Sequence, residues 1–197
     1  MLRRKAETAL VEWKNNPKRK PLLVRGVRQC GKTHLLRHFA RSVFEDVVYV
    51  NLENDVAARL DFVCSLDPQR IITSIEARTG QRIEPGKTLV VVDEVQACEE
   101  ALTSLKYFCE EAPQYHVAAA GSLLGVAINR DTRSFPVGKT EILNMTALDF
   151  EEYLWARGHE ELASLIRLSF DSMTPLAPSL HAKALDLCRE YLVVGGM

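Results

Sequence analysis

Residues 24–36, VRGVRQCGKTHLL, set two glycines, a lysine and a threonine between an apolar run and the start of a helical repeat. Within them Gly26, Val27, Arg28, Gln29, Cys30, Gly31, Lys32 and Thr33 spell G-x-x-x-x-G-K-[ST]. The pattern carries chemistry in one setting, with a strand before it and a helix after it. "PLLVRG" at 21–26 reads as that strand. The helix runs from Thr33 to about Val43, with Leu35, Leu36, Phe39 and Val43 on one face. Glycine at 26 and 31 then lets the backbone bend until successive N–H groups converge on phosphate oxygens, and the helix N-terminus adds its positive dipole end. Lys32 is placed to neutralise β- and γ-phosphates, and Thr33 to offer a hydroxyl to magnesium. Val27, Arg28, Gln29 and Cys30 contribute mainly backbone amides, and His34 follows on the helix. The competing reading is a basic glycine turn that merely joins a strand to a helix.

"LVVVDE" at 89–94 weighs against that competitor, because it is an apolar strand that ends in two carboxylates. Strand geometry puts Asp93 and Glu94 at the C-terminal edge of a sheet, where ligands bind in open α/β folds. Asp93 would hold magnesium through water, and Glu94 would orient or deprotonate an attacking water. A third feature is "AAAGSLLG" at 118–125, whose strand ends in Ser122, a polar residue placed to sense a γ-phosphate or align water. Arg130 and Arg133, in "NRDTRS", are candidates for an arginine finger on this or a neighbouring subunit, although surface loops carry arginines for solubility far more often.

Working outward, the periodicities alternate between strand-like runs and helical patterns, which suggests a parallel sheet covered by helices. The other strand candidates are 47–53, 88–94, 116–122 and, more weakly patterned, 139–145. Residues 21–26 and the first three of these are near-continuous apolar runs, as expected when helices cover both faces. A further helix is expected from about 96 to 111, with Cys98, Leu102, Leu105 and Phe108 or Cys109 on one side. Residues 1–14 read as an amphipathic lead-in helix through Leu2, Ala6, Ala9, Leu10 and Trp13, closed by the turn "NNPKRKP". Near Thr146 the pattern changes. "TALD" before "FEEYLWARG" reads as a capping box opening a short helix that Gly158 ends, and helical stretches follow at about 159–169 and 179–192. The expected organisation is an α/β core at 1–145 and a helical appendage at 146–197, the truncated start of a further domain.

Composition limits the alternatives. With 197 residues, 47% of them hydrophobic, the chain is long enough for one α/β domain with a core. A net charge of -1 gives the chain as a whole no electrostatic footprint of a nucleic-acid or membrane binder. The basic turn at 15–21, with Arg3, Arg4 and Lys5, is a candidate nucleic-acid patch, although a solvated basic turn is the preferred account of it. The five cysteines are odd in number and scattered, without Cys-x-x-Cys, which argues against a disulfide framework or zinc site and for a reducing, cytoplasmic setting. No apolar run reaches membrane-span length. Cys30, beside the helix N-terminus, is expected to react with alkylating reagents and to be protected by bound nucleotide.

Taken together, "LVRGVRQCGKTHLL", "LVVVDEVQ", "AAAGSLLG", "SFPVGKTEILNMTALDFEEYL" and "YLVVGGM" resemble the AAA+ superfamily ATPases of bacteria and archaea whose N-terminal ATPase domain precedes a C-terminal domain of unknown function. Gln96 and the "FPVGK…LDFEEYL" block narrow the likeness from P-loop NTPases at large. The resemblance implies a three-layer P-loop NTPase fold with a parallel sheet in the order 5-1-4-3-2 flanked by helices, plus a small C-terminal helical segment. It implies ATP as the nucleotide, with Gly26, Gly31, Lys32 and Thr33 at the phosphates and magnesium, Asp93 and Glu94 as the acidic motif, and Ser122 as the sensor. The family's C-terminal domain is expected to be absent from this chain. Magnesium-dependent ATP hydrolysis is the expected activity. A nucleotide-operated conformational switch with little turnover and a DNA-associated ATPase are the alternatives. Expected partners are ATP and either further copies of the chain or a partner protein, with nucleic acid left open and no membrane.

Overall fold

A computed structural model describes residues 2–121 and 138–196. The chain divides into two compact units, Thr8–Met145 and a second formed by Met1–Glu7 with Thr146–Met197.

The larger unit is built on five parallel strands: β1 (Leu22–Gly26), β2 (Asp46–Asn51), β3 (Thr88–Asp93), β4 (His116–Gly121) and β5 (Glu141–Met145). They lie in the order β2-β3-β4-β1-β5, the order expected from the resemblance. β3 and β4 are buried along their whole length, which is why they read as unbroken apolar runs rather than as an alternation. Helices α1 (Ala6–Asn15), α2 (Lys32–Val43), α3 (Val56–Val63), α4 (Pro68–Thr79) and α5 (Glu99–Glu111) intervene in the chain. Leu23, Val48, Val50, Val90, Val92, Val117 and Ala119 share one core with residues of α3, α4 and α5. The alternate residues Leu22, Val24, Leu89, Val91, Ala118 and Ala120 are buried as well, and α2 packs on the strands that carry them.

Two of these helices, α3 and α4, were not anticipated, although their end signals are local. Asp55 caps α3 by accepting the Ala58 N–H. Asp67 caps α4, Pro68 stands in its first turn, and Gly80 ends it at φ 69. Ile71, Ile72 and Ile75 of α4 are buried, each contributing about 1.5–3 kcal/mol. That outweighs the weak intrinsic propensity of isoleucine, so packing holds this helix.

In the smaller unit, helices α6 (Phe150–Ala156), α7 (Glu160–Asp171) and α8 (Pro178–Val194) enclose Leu154, Leu162, Ala163, Ala184 and Leu187. The capping box is formed by Asp149 and Glu152 rather than by Thr146, each side chain reaching the other's backbone N–H. The N-terminal residues group with this unit for electrostatic reasons. The Arg4 guanidinium lies 3.2 Å from the buried Glu152 carboxylate, and the Lys5 ammonium lies 2.6 and 2.7 Å from Asp149 and Glu151. Hydrogen bonds from Arg167 and then Lys5 hold the Glu151 carboxyl at about 2, well below the usual carboxylate range. The lead-in helix accordingly begins at Ala6, later than the sequence pattern suggests.

Candidate functional site

β1 delivers the chain to the loop at Gly26, which lies opposite Met145 of β5. A Cβ at position 26 would sit 2.0 Å from the Met145 carbonyl oxygen, so the neighbouring backbone, as well as the bend, demands glycine there. Two residues of the loop, Gln29 at φ 64 and Gly31 at φ 91, take left-handed conformations. Gly31 is the N-cap of α2 and provides no side-chain cap, which leaves the first-turn amides of α2 to other partners. Lys32 is 7% exposed, and its ammonium donates to the carbonyls of Gly26 and Val27 at 3.0 and 2.7 Å.

β3 delivers the acidic pair. Asp93 is 2% exposed, and its Oδ2 accepts the Thr33 hydroxyl at 2.7 Å and the Tyr49 phenol at 2.5 Å, while Oδ1 accepts the Glu94 N–H at 2.9 Å. Burial, then the bond to Asp93, raises the Tyr49 phenol above its ordinary value and so keeps it a donor. Glu94 leaves the strand in a left-handed conformation at φ 53, and a short 3-10 turn, Val95–Ala97, follows. That turn carries Gln96 back so that its Nε2 donates to Glu94 Oε2.

Arg28, Gln29, Gly31, Lys32, Thr33, His34, Glu53 and Glu94 line one cavity of about 420 Å³. The structure therefore brings Lys32, Thr33, His34, Gly31, Gln29, Arg28 and Glu94 together around a space of ligand size. Gly26, Val27, Cys30 and Asp93 are not part of its wall. Cys30 corrects an expectation, because its side chain is 5% exposed and its thiol contacts the Met145 carbonyl at 3.5 Å on the sheet side of the loop. A reagent in the cavity would not meet it. Ser122, Arg130 and Arg133 lie outside the described residues.

Two cavity or carboxylate neighbours escaped the sequence reading, and both come from β2 and its exit. Glu53 follows an Asx turn in which Asn51 Oδ1 accepts the N–H groups of Glu53 and Asn54. Tyr49 alternates with Val48 and Val50, whose side chains enter the core. A lone tyrosine in an apolar strand reads as a packing residue, so neither signal separates it from the core by pattern alone.

A glycine-bent loop between the first strand and a helix, with an acidic pair ending a strand one position beyond its sheet neighbour, defines a P-loop nucleotide-binding domain. Residues 18–154 match the family described as the AAA domain, and the chain belongs to it. No curated protein matches the chain. Among solved structures it is similar to a Walker-type ATPase of Pyrococcus abyssi, with a TM-score of 0.53 and 15% identity over 100% of this chain and 64% of that one. It is similar also to the Aeropyrum pernix ORC2 protein in its ADPNP-ADP complexes, with a TM-score of 0.53 and 18% identity over 81% of this chain and 51% of that one. The Aeropyrum pernix ORC1 protein in complex with DNA follows, with a TM-score of 0.50 and 16% identity over 84% of this chain and 55% of that one. These likenesses show the fold, and this chain spans less than two thirds of the length of each of the three.

Proposed function

We propose that this domain binds ATP with magnesium at the β1–α2 loop and hydrolyses the bond to the γ-phosphate. The observation that carries the reading is the 2.7 Å hydrogen bond between Thr33 and Asp93, two residues from separate motifs, beside a cavity lined by Lys32 and Glu94. A hydroxyl and a carboxylate are hard oxygen donors of the kind magnesium takes alongside phosphate oxygens and water. Among the described residues no group of three or more His, Cys, Asp or Glu side chains could hold a metal by itself, which suits an ion that arrives with its nucleotide. When bound, magnesium supplies Lewis-acid stabilisation of phosphate charge.

The chain's own residues do the rest. The loop and first-turn amides of α2 bind phosphate oxygens, and Lys32, already donating to two loop carbonyls, reorients to place its charge on the β- and γ-phosphates. Thr33 and Asp93 hold the magnesium side. Glu94 aligns a water in line with the scissile bond and accepts its proton. A magnesium-dependent phosphate-release assay tests the reading: Glu94→Gln should lose about 100-fold or more in turnover while retaining ATP, and Lys32→Ala should lose binding. Turnover unchanged in both variants would refute it.

One observation supports a second reading, a nucleotide-operated switch with slow turnover. Gln96 holds the Glu94 carboxylate, so the water-aligning group is engaged within its own turn. Calorimetric titration showing tight ATP binding with negligible phosphate release would favour it. A nucleic-acid role has less support. Lys14, Arg19 and Lys20 donate to the chain's own carbonyls, and Arg3, Arg4 and Lys5 pair with acids.

A further inference from the structure

The carboxylate at the metal end of the site has a third donor that belongs to neither motif. Asp93 accepts from Thr33, which ends the glycine loop, and from the N–H of Glu94, its partner in the acidic pair. The remaining bond, 2.5 Å from the Tyr49 hydroxyl to Oδ2, comes from β2, and it lands on the same oxygen that Thr33 uses. The register explains the reach. β2 and β3 run parallel with Tyr49 opposite Val91 and Asn51 opposite Asp93, so Tyr49 stands two residues short of the carboxylate. Two residues of strand rise about 6.6 Å, a span that a phenol covers and a serine or asparagine does not. The ring is held from its other side by α2. The Arg37 guanidinium carbon lies 3.9 Å from the ring centroid, and Arg37 stands one turn beyond Thr33. Tyr49 is thus braced by the helix that begins at the loop and bears on the strand that ends at the acidic pair. The Asn51 amide, 3.5 Å from the Tyr49 oxygen, completes the setting.

We propose that Tyr49 is a positioning residue for the magnesium end of this site: its hydroxyl holds the Asp93 carboxylate in the orientation shared with Thr33 and so sets how tightly magnesium is kept with the nucleotide. The proposal rests on the reading of the cavity as a site for ATP with magnesium. It assigns Tyr49 no contact with either. Partners that orient a metal-side carboxylate are worth about 10–100-fold in metal affinity, so deleting the hydroxyl should be visible in binding.

Tyr49→Phe removes the hydroxyl and keeps the ring over Arg37. Affinity for a fluorescent, non-hydrolysable ATP analogue is measured in EDTA and then against rising magnesium, with a thermal melt alongside. The expected result is unchanged affinity in EDTA and a magnesium midpoint raised about tenfold or more. The second variant pair is Asp93→Ala with and without Tyr49→Phe, in which the tyrosine change should add nothing, because it acts through the missing carboxylate. A magnesium midpoint within about twofold of the unsubstituted protein, or an equal loss in EDTA and in magnesium, overturns the proposal. A failure of the underlying reading looks different: the unsubstituted protein itself would then show no magnesium-dependent gain in affinity, and the proposal falls with it.

Discussion

Lowering the pH through the weakly acid range should destabilise the Thr8–Met145 unit through one side chain, His116, the first residue of β4. It is 5% exposed, its ring meets those of Trp13 and Phe44 edge-on at 5.7 and 4.9 Å, and an Arg19 guanidinium nitrogen lies 3.4 Å from its Nδ1. Burial first, and the Arg19 charge second, lower its pKa from 6.5 to about 4. The folded chain therefore refuses a proton that the unfolded chain accepts. Stability is fully present above the unfolded value and is lost as the pH falls from about 6.5 to about 4, below which both states are protonated and the loss levels off. A displacement of about 2.5 units is about 3 kcal/mol in all, of which about 2 kcal/mol falls between pH 7 and pH 5. Set against a whole-domain stability of about 5–15 kcal/mol, that is easily measured. The assay is urea unfolding of the unsubstituted protein and of His116→Gln at the two pH values. All other titrating groups are common to both proteins, so the difference of the two pH differences isolates His116. Equal losses in both proteins, or a gain in the unsubstituted one on acidification, would refute the reasoning.

Two further expectations concern the loop. Gly26→Ala puts a methyl group 2.0 Å from the Met145 carbonyl and forces β1 and β5 apart at their ends. Overpacking of this kind costs about 1–3 kcal/mol, or about 2–4 °C of melting temperature per kcal/mol at this chain length, so a variant that melts with the unsubstituted protein would contradict the close approach. Cys30 should label slowly with a thiol reagent under native conditions, because it is 5% exposed, whereas Cys64 is exposed and should label first. Peptide mass spectrometry after timed labelling reports both sites, and equal rates would place Cys30 in the cavity after all.

The parts of the site that were legible in the sequence are those in which chemistry and geometry are contiguous. Gly26 to Thr33 form one loop whose residue types dictate the bend, the amide cluster and the cation, and the step from an apolar strand to Asp93 and Glu94 is equally local. The helices α3 and α4 were legible in principle through Asp55, Asp67, Pro68 and Gly80, since caps act within one turn of chain. The apolar residues of α3 give a weaker periodic signal than those of α2 or α5, whereas Ile71, Ile72 and Ile75 give α4 a helical face as regular as that of α5. Cys30 was misread for another reason. Its place beside a helix N-terminus is a sequence fact, but which side of the loop its thiol occupies depends on β5, whose Met145 carbonyl it meets.

By itself the sequence determined the five strands, the helices other than α3 and α4, the glycine loop, the acidic pair and, by resemblance, the family, because each is written in residues that are neighbours along the chain. Tertiary structure alone decided that Thr33 touches Asp93, that Glu53 borders the cavity and that Tyr49 shares the Asp93 carboxylate. Those pairings depend on strand order and register. β1 and β3 are not adjacent but are joined through β4, and β2 meets β3 with Asn51 opposite Asp93. A hydrophobic pattern states which strands are buried and carries no record of which strand each will face, so contacts between strands appear only once the sheet is assembled.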